Sequence, residues 1–169
     1  MVQRVVDEIQ EDIWFLSLAI INHDITRRHE EYLTYFYAEE FSNPDDIVGS
    51  HSSRPMVGRD KIRAYVNQYS GDDAARGNRV GKILTKAYSG FVHAASPHIM
   101  DMCAGHVARF DVNGECRTLR RVEFERDAMN YFYRGILAMA IAAKAFGDDE
   151  LFASLLPEAE RFESQMKQA

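Results

Sequence analysis

The alternation of apolar and polar residues along the chain predicts helices over most of its length. No proline or glycine occurs from Val2 to about Phe41, and two apolar stripes recur there at helical steps of three and four. Two stripes indicate contacts with more than one neighbour. A continuous helix over this range would span roughly 60 Å, so we expect a kink or a break at Asn22-His23-Asp24 and leave open whether one helix or two results. The stripes are Ile9, Ile13, Leu16 and Ile20, and Trp14, Leu18, Ile21, Ile25, Tyr32 and Phe36.

Three further helical patterns follow a loop-like segment that ends at Gly58. A short helix is predicted at Arg59–Tyr69, a central helix near 78–95, and a core helix near 123–146. The pair Ser96-Pro97 is predicted to close the central helix, because the residue before proline avoids helical geometry. The helices near 2–41, 78–95 and 123–146 are expected to form the centre of the fold. Gly147 is predicted to cap the core helix, and the next helix to start at Asp148-Asp149 before a polar tail.

The segment near 106–120 has a different period. Two short runs flank Asn113-Gly114, and Asn-Gly is the strongest short hairpin signal. The predicted fold is therefore all-α, an up-down bundle of about five helices with a small β-hairpin insertion near 106–120, in a single domain over 1–169. A homodimer is expected, because the stripes of the first helix are wider than one neighbour would cover.

Composition narrows the classes of partner. The formal net charge is −6 and the isoelectric point is near 5.5, which disfavours a broad electrostatic contact with nucleic acid or anionic membrane. Cys103 and Cys116 have no metal spacing and are interpreted as free thiols in a reducing compartment. The first residues match neither a signal nor a transit peptide, and no apolar run is long enough to cross a bilayer. We expect a cytoplasmic protein without a membrane partner or a cofactor.

The central helix carries the densest set of reactive side chains. Its predicted buried stripe consists of Val80, Leu84, Ala87, Phe91 and Ala94. Lys82, Lys86, Ser89 and His93 recur at the same spacing on roughly the opposite face. A neutral imidazole near a lysine is suited to general acid–base chemistry, so Lys86, Ser89 and His93 are the candidate catalytic residues. The alternative is that His93 hydrogen-bonds a neighbouring helix or lies at a subunit contact. Gly90, beside this row, indicates the close approach of a second backbone.

The segment Tyr88-Ser89-x-x-Val92-His93 resembles a pattern of HEPN-like helical proteins. That resemblance implies an up-down bundle that often dimerises and whose active members cut RNA with an R-x4-6-H motif in a dimer cleft. The similar spacing here is Lys86-x6-His93, with lysine where the family has arginine. Lysine lacks the planar fork that binds phosphate bidentately. The resemblance implies an RNA- or nucleotide-binding protein, with ribonuclease activity in a defence or toxin–antitoxin system as the expectation.

Two other interpretations remain open. One is a non-enzymatic helical interaction module that forms a homodimer and whose polar row on the central helix is solvated. The other is a metal-binding helical bundle, for which His98 and Asp101, one turn apart after Pro97, are the candidate ligands. Neither an H-E-x-x-H motif nor the paired E-x-x-H of a di-iron bundle occurs in the sequence.

Overall fold

The computed structural model describes residues 2–38, 43, 45–46, 48–50, 55–69, 73–92 and 121–168. Within these residues the chain forms six α-helices and no strand, which confirms the predicted all-α class. None of these helices combines the length and the hydropathy that crossing a bilayer requires. The predicted hairpin near 106–120 lies outside the described residues. The helices are α1 (Val2–Ile21), α2 (Arg27–Phe36), α3 (Arg59–Tyr69), α4 (Ala74–Val92), α5 (Arg121–Ala145) and α6 (Asp149–Gln168).

The first helical segment is two helices, separated at the predicted polar cluster. The N–H of Asp24 donates to the carbonyl of Ala19 at 2.9 Å and that of His23 to Ile20 at 3.2 Å, the paired bonds of a Schellman motif. His23 takes the left-handed position of this motif, with φ of 52°. The chain therefore turns out of α1 within three residues.

The start of α2 uses a histidine where a capping box normally has an acid or amide. The backbone N–H of Thr26 donates to Nδ1 of His29 at 3.0 Å, and Thr26 is the N-cap residue. Because Nδ1 accepts this bond, the ring is neutral, with its hydrogen on Nε2. The same ring is buried and stacks on Phe15, with ring centroids 4.0 Å apart.

The hydrophobic core lies around the second half of α1. Phe15 and Ile62 are the largest side chains that are fully buried within the described residues. The ring of Tyr65 meets that of Phe15 edge to face, with centroids 5.3 Å apart. Since burying a side chain of this size stabilises the fold by roughly 1.5–3 kcal/mol, the contact of α1 with α3 is its main apolar anchor. The core cluster consists of Phe15, Leu18, Ala19, Val57, Ile62 and Tyr65.

Two antiparallel helix pairs lie beside α1, the first in contact with it through α3 and α4 and the second through α5. In the first, Asp60 near the start of α3 pairs with Lys82 of α4, and Asn67 near its end contacts Asn78. In the second, the start of α6 follows α5 directly, where Lys144 pairs with Asp149. Later residues of α3 contact later residues of α1, and the same holds for α5. Both helices therefore run in roughly the same direction as α1. An up-down order of neighbouring helices is therefore not confirmed.

The predicted buried stripe of α4 is wrong for the two members whose side chains are described. Val80 and Leu84 are exposed, and α4 instead turns Gly81 and Thr85 toward α3. There a Cβ at Gly81 would lie 3.1 Å from Cδ of Arg63, and Thr85 accepts a hydrogen bond from that guanidinium at 3.0 Å. A buried arginine needs hydrogen-bond acceptors and space. Helix α4 therefore faces Arg63 with Gly81 and Thr85.

Other predicted boundaries differ by a few residues. The short helix matches α3, and the core helix matches α5 within two residues at each end. Helix α4 begins at Ala74, earlier than predicted, and α6 continues to Gln168 where a polar tail was expected. Among the described residues, α3 rather than α4 supplies the core beside α1, which corrects the predicted centre. Gly147 has φ of 78°, as expected for the predicted cap.

Candidate functional site

The residues predicted to be catalytic are only partly described. Lys86 lies exposed on α4, and Ser89 belongs to the same helix, but its side chain is outside the described set. His93, and the candidate metal ligands His98 and Asp101, lie outside the described residues altogether. The grouping of Lys86, Ser89 and His93 therefore stays a prediction. In the described part of the chain, no three His, Cys, Asp or Glu residues are grouped as a metal site requires.

A row of interhelical ion pairs runs along one side of α1. Asp12 accepts two hydrogen bonds from Arg59, at 2.5 and 2.9 Å. Asp7 accepts one from Arg134 of α5 at 2.6 Å and one from the hydroxyl of Tyr131 at 3.0 Å. These bonds hold α3 and α5 in register on α1, because each arginine meets one carboxylate.

Among the described residues, the most buried ion pair joins Glu11 to Arg63. Nε of Arg63 donates to Oε1 of Glu11 at 2.6 Å, and the two side chains are 17% and 9% exposed, with Arg63 the more buried. Burial raises the pKa of the Glu11 carboxyl, although the hydrogen bond from Arg63 opposes that effect. Oε2 of Glu11 is buried and has no hydrogen-bond partner among the described residues. The attraction between Glu11 and Arg63 is therefore largely offset by the free energy of removing their charges from water.

A polar pocket of about 240 Å³ lies beside this pair, between α1, α3, α4 and α5. The neighbouring Gln10 is 4% exposed, and its Oε1 has no partner among the described residues. Its Nε2 donates to the carbonyl of Tyr131 at 3.3 Å. Two acceptor oxygens without a described partner therefore belong to residues that line one cavity. The lining is formed by Gln10, Glu11, Trp14, Arg63, Val66, Asn67, Gly77, Gly81, Arg134 and Leu137.

A second, larger cavity of about 630 Å³ lies on the other side of the α1–α5 contact. None of its lining side chains carries a charge, and Ile9, Phe132 and Met139 are each more than half exposed. We call this cavity the apolar groove. It is lined by Val6, Ile9, Gln10, Ile13, Ala128, Tyr131, Phe132, Gly135, Ile136, Ala138 and Met139.

The described part of the chain exposes many more large apolar side chains than it buries, and the groove is part of that exposure. Within the described residues, five large apolar side chains are buried and nineteen are exposed. Single exposed apolar side chains are normal, but a contiguous exposed patch marks an interaction site. Ile9, Phe132 and Met139 of the groove belong to this exposed set.

Comparison with known proteins yields no match: no family model, no curated protein and no solved structure matches this chain. The HEPN-like resemblance therefore stays a prediction, and function is argued from the geometry of the described residues alone.

Sequence reasoning missed the ion-pair row and the polar pocket. A signal was present, since α1 carries Glu8, Glu11 and Asp12 at steps of three and four, and α3 carries Arg59 and Arg63 at a step of four. Opposite charges at matching helical spacing on two helices are compatible with an interhelical pairing. The same spacing is also compatible with two solvated faces, so only the packing distinguishes these alternatives.

Proposed function

We propose that this chain is a helical interaction module that forms a homodimer through the apolar groove. The observation that carries the proposal is the uncharged groove between α1 and α5, with Phe132 and Met139 exposed along its side. The free energy of a helical protein with such side chains in water falls when a matching apolar surface covers them. The groove belongs to this interaction, and no catalytic step is assigned to it.

A second copy of the chain is the occupant that the surface fits. A two-fold contact requires one patch to complement itself. Phe132 and Met139 lie seven residues apart, as two projections on one side of α5, while Gly135 and Ala138 between them form a hollow. Projections and hollow on the same face let α5 of one protomer pack against α5 of its partner.

The length of the groove sets the size of its occupant. The lining residues of α5 extend from Ala128 to Met139, about 17 Å at 1.5 Å per residue. An occupant must therefore present an apolar helix of about three turns. The α5 helix of a second copy of this chain is an apolar helix of that length, so no second kind of protein is needed.

Charge supports a protein surface over a nucleic acid in the groove. The lining residues offer no lysine or arginine for phosphate, and the chain has a formal net charge of −6. Nucleic-acid affinity depends largely on neutralising phosphates. A contact between apolar faces carries no such requirement and places no like charges opposite each other.

The free energy of burying the exposed side chains can be compared with the cost of association. Complete burial of a Phe, Met or Ile side chain contributes roughly 1.5–3 kcal/mol, and a two-fold interface buries each side chain once on each protomer. Association costs an estimated 4–15 kcal/mol in lost freedom of the two molecules. With Ile9, Phe132 and Met139 counted twice, the gain and the cost are comparable, so the other lining residues must supply the net free energy of association.

The test is sedimentation of the full chain over a range of concentrations. We expect the parent protein to dimerise and Phe132→Glu to shift it to monomer, because a carboxylate would be buried without a partner. Phe146→Glu is the matched control, since Phe146 also lies beside α5, is 86% exposed and does not line the groove. It should dimerise like the parent.

Two results would overturn the proposal. The first is a parent protein that stays monomeric at every concentration. A monomer whose groove is shown by solvent labelling to be covered by another part of the same chain counts as this result. The second is a dimer that Phe146→Glu dissociates as effectively as Phe132→Glu.

A further inference from the structure

The ring of His29 joins α2 to two other helices. It is 2% exposed and stacks on Phe15 of α1, with ring centroids 4.0 Å apart. It also meets Tyr65 of α3 edge to face, with centroids 4.6 Å apart. Its Nδ1 accepts the hydrogen bond from the backbone N–H of Thr26 at the start of α2. One neutral imidazole therefore both caps α2 and packs it against α1 and α3.

Protonation of this ring opposes its capping role. A proton on Nδ1 turns an acceptor into a donor, so the N–H of Thr26 loses its partner. The hydroxyl of Thr26, whose Oγ1 is 2.9 Å from Nδ1, would accept from the charged ring but cannot replace that lost acceptor. The charge would also lie in the first turn of α2, where the helix dipole is positive and repels a cation.

The other ring nitrogen has no described acceptor to stabilise a positive charge. Nε2 of His29 is buried and lacks a hydrogen-bond partner among the described residues. On α1 the ring meets the uncharged Phe15, and Asp12, one turn earlier on that helix, is paired with Arg59. A charged ring at this position would therefore lose its contact with water without a described acceptor in return.

The titratable groups beside the ring also leave it neutral. Burial lowers the pKa of the imidazole, and the largest opposing effect comes from Asp24 in the turn before α2. The carboxylate of Asp24 accepts a hydrogen bond from the hydroxyl of Tyr69 on α3 at 2.8 Å. Tyr65 and Tyr69 stay uncharged at neutral and acid pH, because burial raises the pKa of the first and the hydrogen bond to Asp24 raises the pKa of the second. On α2 itself, Arg28 and Glu30 are exposed and of opposite charge.

Helix α2 is too short to persist once it is undocked. It has 10 residues, and isolated helices below about 12–15 residues are marginal in water. The packing of α1 against α3 and α5 has supports that do not involve His29. These supports are the ion pairs Asp12–Arg59 and Asp7–Arg134, so α1, α3 and α5 remain joined when α2 leaves.

We propose that protonation of His29 releases α2 from the fold at acid pH while α1, α3 and α5 stay packed together. The release uncovers the face of Phe15 on which the imidazole stacks. None of the residues in this contact lines the apolar groove, so the device does not rest on the homodimer.

The experiment is native-state hydrogen exchange of the full chain at pH values of about 7.5 and 5.5, corrected for the intrinsic exchange rates. We expect the protection of the amides in 30–36 to fall by about three- to tenfold, because the imidazole of released α2 titrates near its ordinary pKa of about 6.5. These amides should also depend less on urea than the core amides of α1, since a local opening exposes less surface. One protection and one urea dependence for both helices would mean that α2 opens only with the whole fold, which overturns the proposal.

Variants assign the effect to the ring. His29→Gln keeps an acceptor for Thr26 and should remove the fall in protection, whereas His23→Asn, which removes an exposed imidazole, should retain it. A fall that persists in His29→Gln belongs to another group, such as Glu11, whose pKa is raised by burial, and contradicts the proposal.

Nitrogen NMR of the imidazole in the parent protein decides if His29→Gln does not fold. The ring should be neutral, with its hydrogen on Nε2, wherever α2 is docked. A ring that is protonated while the α2 amides keep their protection would show that the charge is accommodated in place, and the proposal would be wrong.

Discussion

The carboxylate of Glu11 on α1 accepts a hydrogen bond of 2.6 Å from Arg63 on α3, across a contact in which Arg63 is 9% exposed. A buried pair of this kind costs much of its own attraction in desolvation. Removal of one partner leaves the other charge buried and unpaired. The pair is therefore expected to fix how α1 and α3 dock more than to stabilise the fold.

A double-mutant cycle tests this expectation. Glu11→Met and Arg63→Leu should each lower the free energy of unfolding by about 3–5 kcal/mol, whereas the double variant should lose much less than the sum. Denaturant unfolding of the four proteins gives the coupling energy. Losses that simply add would show that the two residues act independently. Arg27→Leu, at an exposed pair with Glu31 on α2, is the control and should change stability by less than about 1 kcal/mol.

The buried imidazole of His29 predicts a pH dependence of stability. Burial lowers its pKa, against an opposing effect of the Asp24 charge. As pH falls through about 6.5, His29 takes up a proton in the unfolded chain but not in the folded one. The stabilisation is therefore complete above pH 6.5 and is lost as pH falls toward the lower folded pKa, with a slope of up to about 1.4 kcal/mol per pH unit.

Urea unfolding at several pH values between about 8 and 5 measures this slope. His29→Gln keeps a side chain that can accept the hydrogen bond from Thr26 and should flatten the profile relative to the parent. His23→Asn removes an exposed imidazole outside the core and should preserve the parent profile. A parent profile that stays as steep in His29→Gln would assign the pH dependence to other groups.

The ends of α1 and α5 make the same hydrogen-bonding motif with different residues. His23 has φ of 52° and Gly147 has φ of 78°. A left-handed backbone costs a non-glycine residue roughly 1 kcal/mol. We therefore expect His23→Gly to raise the free energy of unfolding by about 1 kcal/mol and Gly147→Ala to lower it by about the same amount. The thermal midpoint should shift in the same direction in each variant. Thermal melts of both variants check the signs, and a loss in His23→Gly would mean that its side chain contributes more than the strain costs.

Gly135 separates the stability of the monomer from dimerisation. Among the described residues, a Cβ there would meet only Nε2 of Gln10, at 3.8 Å. Gly135→Ala should therefore stabilise α5 by about 0.5–1 kcal/mol through helix propensity. Gly135→Leu fills the groove and should weaken dimerisation at least tenfold while the monomer stays folded, since overpacking at a contact costs about 1–3 kcal/mol. Melting at low concentration and sedimentation together check both effects. Equal dimerisation of the two variants would remove the groove from the interface.

The HEPN-like hypothesis has its own test in the reactive row of the central helix. The parent protein and a His93→Ala variant are incubated with mixed RNA, and the products are separated by size. If His93 is the general acid or base, the variant should lose cleavage by about 100-fold or more. Lys61→Ala, which removes an exposed lysine of α3, is the control for general loss of positive charge. Absence of cleavage by the parent would leave the interaction module as the function to pursue.

The sequence by itself determined the helical class and most helix positions. The steps of three and four predicted α3 and α5 closely, and Asn22-His23-Asp24 marked the break before α2, because periodicity and capping are local properties. These signals need no knowledge of what a helix faces. They therefore survive into the folded chain with small changes at the ends.

Only the tertiary structure decided which face of each helix is covered. Val80 and Leu84 have the spacing of a buried stripe and yet are exposed, because Arg63 draws Gly81 and Thr85 of α4 toward α3. The polar pocket and the apolar groove likewise combine residues of α1 with residues more than a hundred positions away. Periodicity reports that a face is apolar, whereas its partner depends on how charges and side-chain volumes fit between helices distant in sequence.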